Sequence, residues 1–277
     1  MTDHTPKSVT SRANPLIVEA AKLQDKKHRT RTARFFFEGV KLFSEARTAG
    51  VFLERVIVTE EAYGKYAALF SDADFETVIV PDSVYEKITA ENSPQGVFCL
   101  AKYLDNLNFS NTIYTEGSQF GDIINTGNAE RILICDGLRD PGNLGTVIRT
   151  ANALGFDRLV LSSDCADLYN PKTVRAAMGA LFRIRADITP DIPAYIASLT
   201  EAGYDVRAAA LTEDAVPLNA YRVTPRTVFV IGNEGHGLSE ETVAACRGSV
   251  IIPMAEGAES LNAAIAASIL MWECSRI

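Results

Sequence analysis

Three short stretches hold residues whose types and spacing could do chemistry. The first, Asn143-Leu144-Gly145-Thr146-Val147-Ile148-Arg149-Thr150-Ala151, puts an amide and a guanidinium on one run. The second, Gly232-Asn233-Glu234-Gly235-His236-Gly237, sets an amide and a carboxylate among glycines directly after the apolar Val228-Phe229-Val230-Ile231. The third, Ile252-Pro253-Met254 followed by Ser260-Leu261-Asn262, places a hydroxyl and an amide ahead of an alanine-rich run. Glu234 is open to three readings: general base, acceptor for a ribose hydroxyl, or structural hydrogen-bond acceptor. Glycines at a strand end let backbone N–H and C=O groups approach a ligand that a Cβ would hold off. Plainer readings stand beside these. Arg149 alone fits a solvated arginine on an amphipathic helix, Ser260 fits an N-cap, and His236, between glycines, fits a surface loop. Asn262, one turn into a buried helix, needs hydrogen-bond partners.

The elements that must position these residues are legible in the hydrophobic pattern. From 131 onward the runs RILICDG, RLVLSS, FRIRAD, DVRAAAL, TVFVIG and SVIIPM alternate with helical segments. Near-continuous apolar strands separated by helices predict a parallel sheet covered on both faces. Ligands of such sheets sit at the carboxyl ends of the strands, where the glycine-rich breaks fall. Asp140-Pro141-Gly142-Asn143 predicts a turn, and Leu144, Val147, Ile148, Ala151 and Leu154 predict a helix closed by Gly155. Arg149 then lies opposite that apolar stripe, toward Thr146 and Asn152. A last helix is expected from Ser260, with a stripe of Leu261, Ile265, Ile269 and Trp272.

Ahead of this, helical PLIVEAAKLQDKK and VKLFSEARTAG alternate with extended RFFFEG, RVIVT, ETVIVP and GVFCLAKY, enough for a small α/β or α+β domain. The Asn-, Ser-, Thr- and Gly-rich run from 104 to 130 reads as a linker or surface excursion. The expected organisation is therefore an N-terminal domain over 1–104, a linker over 105–130 and a C-terminal domain over 131–277.

Composition narrows the function. No apolar run reaches a membrane span and the N-terminus lacks a secretory segment, so cytoplasm is the expected location. Five scattered cysteines, none in a CxxC pair, suggest neither a disulfide framework nor a zinc site, and no metal is expected. The chain carries a net charge of −8, yet positions 1–50 hold ten basic against five acidic residues. Such asymmetry points to a local anionic partner. A P-loop is excluded because no GKS or GKT follows the first motif, and a nicotinamide-binding fingerprint is absent.

Taken in order and spacing, the three stretches resemble the signature motifs of the SpoU (TrmH-type) RNA 2'-O-ribose methyltransferases of the SPOUT superfamily, and VRAAMGALFRI at 174–184 adds to the likeness. The segment FFFEGVKLFSEA is similar, more loosely, to a small α/β RNA-binding domain resembling a ribosomal protein. The resemblance implies an α/β SPOUT-type domain with a parallel sheet and a deep trefoil knot, a homodimer, and S-adenosylmethionine as cofactor. It implies cofactor contacts from Leu211, Gly232, Ile252, Met254 and Leu261, and catalytic-site roles for Arg149, Asn143, Glu234, Ser260 and Asn262. The expected reaction is methylation of a ribose 2'-hydroxyl, a group that DNA lacks, in 23S ribosomal RNA. Transfer RNA is the alternative substrate, and a catalytically inactive RNA-binding protein of the same fold the alternative function. Lys26, Lys27, Arg29 and Arg31 are the expected RNA contacts. His236 is expected to have no catalytic role.

Overall fold

The structure is a computed structural model that describes residues 6–70, 74–109, 129–233, 235–257 and 260–277. Most of the stretch expected as a linker, and Glu234, therefore lie outside the described residues. The chain forms two compact units, Met1–Leu104 with Asp167–Phe182, and Asp105–Ala166 with Arg183–Ile277.

The first unit contains β1 (Lys7–Ser8), α1 (Pro15–Lys22), α2 (Lys26–Thr32), β2 (Arg34–Glu38), α3 (Val40–Thr48), β3 (Leu53–Thr59), α4 (Glu60–Lys65), β4 (Glu76–Val80), α5 (Asp82–Tyr85) and β5 (Val97–Lys102). Its sheet runs β1-β4-β3-β5-β2. The strands β1, β4 and β3 are parallel, while β5 is antiparallel to both β3 and β2. The basic run does not make one helix, because the Asp25 side chain caps a fresh start by accepting from Lys27 N at 2.7 Å. The segment 167–182, carrying a short helix α7 (Pro171–Ala176), packs on β2 through Tyr169 against Phe35 and Phe182 against Phe37.

The second unit contains β6 (Leu107–Phe109), β7 (Ile132–Cys135), α6 (Pro141–Ala153), β8 (Arg158–Ser162), β9 (Arg185–Thr189), α8 (Ile192–Glu201), β10 (Asp205–Ala209), β11 (Val216–Pro217), β12 (Thr227–Ile231), α9 (Glu240–Ala245), β13 (Ser249–Ile251) and α10 (Ala263–Ser275). Its strands form one sheet in the order β11-β13-β10-β12-β7-β8-β9-β6. Every pairing in it is parallel. Leu107–Phe109, within the stretch expected as linker, thus supplies an edge strand of this sheet. All residues of β7 and β12 are buried, as strands covered on both faces must be. One face packs α8 through Ile192, Tyr195, Ile196 and Leu199 onto Ile134, Val160, Val206 and Val228. The helices α6 and α10 pack on each other, and α10 also on β12.

Two local features differ from the expected elements. The last helix starts at Ala263 with Asn262 as N-cap, whose Oδ1 accepts from Ala264 N at 2.9 Å and Ile265 N at 3.2 Å, so Ser260 stands in the loop before it. The buried side of α10 is Ala263, Ala264, Ala267, Leu270, Met271 and Cys274, whereas Ile265 is 51% and Trp272 56% exposed. The helix is apolar nearly all round, so its sequence has no single apolar face from which the buried side could be read. Small alanines take the packed side because they let α10 approach its neighbours closely.

Candidate active site

The parallel sheet directs the carboxyl ends of β7, β12, β10 and β13 to one edge, and each of the three motifs follows one of these strands. At the opposite edge the charges are used up in structure. Arg158 pairs with Glu130 at 3.0 Å and Asp187 at 2.6 Å, and Tyr195 donates to the same Asp187 oxygen at 2.9 Å.

After β7, Asp140 caps α6 by accepting from Asn143 N at 2.7 Å, with Pro141 at the first helical position. The buried face is Leu144, Gly145, Val147, Ile148 and Ala151, which leaves Arg149 exposed and without an ion pair among the described residues. Asn143 faces α10, and its Oδ1 accepts from Asn262 Nδ2 at 3.0 Å. The amides of the first and third motifs therefore meet, and Asn262 serves at once as helix cap and as brace of Asn143. That dual use supplies the partners its amide was expected to need.

After β12 the chain folds into a tight hairpin, with Asn233 and Gly237 exchanging backbone hydrogen bonds at 3.0 Å in both directions. The Asn233 side chain fixes it further, donating to the Gly137 carbonyl at 2.8 Å and accepting from Gly235 N at 2.8 Å. A Cβ on Gly232 would lie 2.4 Å from the Gly237 carbonyl carbon. This glycine is thus required by the hairpin itself, whether or not a ligand approaches its backbone. Gly237, at φ +69°, takes the left-handed conformation that glycine adopts without strain. His236 is exposed at the hairpin tip.

The loops after β10 and β13 carry the apolar residues expected at a cofactor. Leu211 is 90%, Met254 44% and Leu261 39% exposed, and Ile252 is half-buried. Since β10 lies next to β12 and β13 next to β10, these loops lie on one side of the Gly232 hairpin. Exposed leucine and methionine beside a close backbone turn fit a ligand with an apolar face held by main-chain groups. Ser260 is exposed in the same loop region.

Further polar residues at this edge escaped the motif reading. Asp136 directly follows β7 and accepts from Thr242 Oγ1 at 2.7 Å, and Thr242 in turn accepts from Ser239, the N-cap of α9, at 3.0 Å. Asp164, after β8, accepts from Ser162 Oγ at 2.6 Å and pairs with Arg139 at 2.7 Å. These contacts, Ser162 first, hold the Asp164 carboxyl below its ordinary range. The signal that could have found both acids is their position, each just beyond the end of an apolar strand run. The cysteines offer no nucleophile: burial pushes the Cys246 and Cys274 thiols up to about 12.

In the first unit, Lys26, Lys27 and Arg31 are exposed on α2. Arg29 is not, and its expected contact with RNA is corrected here. It is 2% exposed, pairs with Asp167 at 2.6 Å and donates to the Leu23 and Gln24 carbonyls at 2.7 and 2.9 Å. A guanidinium so enclosed cannot reach a phosphate; it fastens residue 167 to α2 and the turn before it.

The chain matches the SpoU rRNA Methylase family over residues 130–272 and an MRM3-like substrate binding domain over residues 14–99. It is 29% identical over 270 residues to the 23S rRNA (guanosine(2553)-2'-O)-methyltransferase RlmP of Bacillus subtilis, covering 96% of this chain and 98% of that protein. Its fold superposes on an AdoMet-bound rRNA methyltransferase from Sinorhizobium meliloti with a TM-score of 0.79 at 32% identity, over 98% of this chain and 97% of the other. The SpoU methyltransferase AviRb of Streptomyces viridochromogenes, in complex with the cofactor AdoMet, gives a TM-score of 0.79 at 26% identity, over 95% and 97% of the two chains. With all three motifs following strands at one edge of a parallel sheet and a family match spanning more than half its length, this chain belongs to the SpoU rRNA methylase family.

Proposed function

We propose that this protein is an S-adenosylmethionine-dependent methyltransferase acting on a ribose 2'-hydroxyl of large-subunit ribosomal RNA. The observation that carries the reading is the meeting of Asn143 and Asn262 at the start of the helix that carries an exposed Arg149. Family membership and the named activities of full-length relatives support it.

Leu211, Ile252, Met254 and Leu261 would hold the cofactor's apolar surfaces and the backbone at Gly232 its polar groups. When bound, S-adenosylmethionine supplies an electrophilic methyl carbon on a sulfonium. The protein's share of the work is positioning, worth on the order of 7–11 kcal/mol when reacting atoms are held in an attack geometry. The Asn143–Asn262 brace fixes the first turn of α6, and with it the helix that presents Arg149. A guanidinium holds its proton far above neutrality and is a poor base there. Arg149 therefore clamps a substrate phosphate and stabilises the oxygen as negative charge develops on it. Glu234 and Ser260 complete the set as acceptor and polar contact.

The same reading places RNA on the first unit through Lys26, Lys27 and Arg31, which have the sign and exposure that phosphates need. It includes a trefoil knot in the second unit, favoured by the placement of β13 between β10 and β11. It also includes a homodimer, because Ile265 and Trp272 on the outward side of α10 are apolar surface that a second copy would cover. No helix among the described residues is long and apolar enough to cross a membrane, and a cytoplasmic location agrees with an rRNA substrate. Calorimetry with S-adenosylmethionine separates this function from that of a silent RNA-binding protein. Saturable one-to-one binding per chain is expected, and its absence would favour the silent protein.

A further inference from the structure

A ribose 2'-hydroxyl is common to every RNA nucleotide, so an enzyme acting on it must choose its target by other features. Bases can be distinguished by hydrogen bonds to their edges once a nucleotide is unstacked. Beside the Asn233–Gly237 hairpin lies a cleft of about 240 Å³ lined by Asp136, Gly137, Arg139, Asp164, Asn233 and His236 among others. It opens at the carboxyl ends of β7, β8 and β12, on the side of the hairpin away from β10 and β13. The hairpin thus has the proposed cofactor loops on one side and this cleft on the other.

Its floor is rigid. Gly137 is buried, its N–H donates to Ser162 Oγ at 2.7 Å, and its carbonyl accepts from Asn233 Nδ2 at 2.8 Å. Its charge is wrong for phosphate, because two carboxylates face one guanidinium and Arg139 is already paired with Asp164. Its volume falls below the ~300–1,000 Å³ usual for whole small-molecule ligands and suits one ring system. Carboxylates accept hydrogen bonds from ring N–H and exocyclic amino groups, while the flat guanidinium of Arg139 and the imidazole of His236 offer stacking surfaces at the rim. The bonds from Ser162 and Arg139 hold the Asp164 carboxyl below its ordinary range, which favours the acceptor form.

We propose that this cleft seats the base of the nucleotide to be methylated, and that Asp136 and Asp164 select a base presenting paired N–H donors, guanine over uracil. The assignment rests on the ribose methyltransferase reading and names the feature of the substrate that its site recognises.

The test uses the full chain saturated with S-adenosylhomocysteine and titrated with GMP and with UMP, followed by amide NMR. GMP is expected to bind at least five-fold more tightly than UMP and to shift the Gly137, Asn233 and Gly237 resonances. Asp136→Asn and Asp164→Asn are each expected to bring the ratio close to one, with S-adenosylhomocysteine affinity unchanged. Arg139→Ala, at an exposed position, is expected to weaken both nucleotides. Equal binding of GMP and UMP, shifts confined to other residues, or a ratio unmoved in both aspartate variants would overturn the assignment. Methyl transfer to rRNA without a GMP preference removes the base site alone. A GMP preference without transfer removes the reaction and leaves the base site standing.

Discussion

Two arginines on two helices show how differently the same side chain is used in this molecule. Arg29, on α2 of the first unit, is enclosed and bonded to Asp167 and two carbonyls. Arg149, on α6 of the second unit, is exposed and has no ion pair among the described residues. The buried one is committed to structure, because its charge is neutralised and most of its donors are occupied. The exposed one has charge and donors to spend on something that arrives. In sequence both are expected to act on RNA, Arg29 as a contact and Arg149 in the catalytic site, and burial separates them.

Substitutions probe the contrast. Arg29→Ala leaves Asp167 without its partner in a site where that carboxylate is 14% exposed, and should destabilise the protein by about 3–5 kcal/mol in denaturant unfolding. A loss below about 1 kcal/mol would show that the pair is not structural. Arg149→Ala should leave the unfolding midpoint within error but lower methyl-transfer turnover by about 10²–10³-fold, the range seen on removing a charge-stabilising donor. Arg149→Lys should recover only part of it, since lysine keeps the charge and loses the fork. Near-normal turnover in Arg149→Ala would erase the distinction between the two arginines. The smallest effect belongs to the rest of the basic run: replacing Lys26, Lys27 and Arg31 by alanine should cost folding little. The same triple change should lower the slope of log affinity against log salt for rRNA by about 0.7–0.9 for each phosphate that is no longer neutralised. An unchanged slope would take α2 out of the RNA interface.

What could be read from the chain depended on how local the physics is. The strands of the second unit were legible because two buried faces leave an unbroken apolar run, as in Leu133-Ile134-Cys135. The helix carrying Arg149 was legible because its apolar residues recur at one period and Gly155 ends it. Arg29 was not, since its partner Asp167 lies 138 positions away and no local pattern announces the pair. The start of the last helix was missed because Ser260 and Asn262 are both good caps two residues apart, and only the fold shows which one is used. Gly232 was expected to make room for a ligand, whereas it first makes room for the chain's own return at Gly237. Asp136 and Asp164 drew no notice because a single acid after a strand carries no motif. Their meaning comes from following adjacent strands, β7 and β8.

Methyl transfer to a ribose oxygen of ribosomal RNA is open to a direct assay, in which the purified protein is incubated with labelled S-adenosylmethionine and large-subunit rRNA and the product is digested to nucleosides. The label is expected in one 2'-O-methylated nucleoside, and its rate of incorporation should fall by about 10²–10³-fold with Arg149→Ala. Label on a base, or none in rRNA from any source lacking the modification, would refute the assignment of this chain as a ribose methyltransferase.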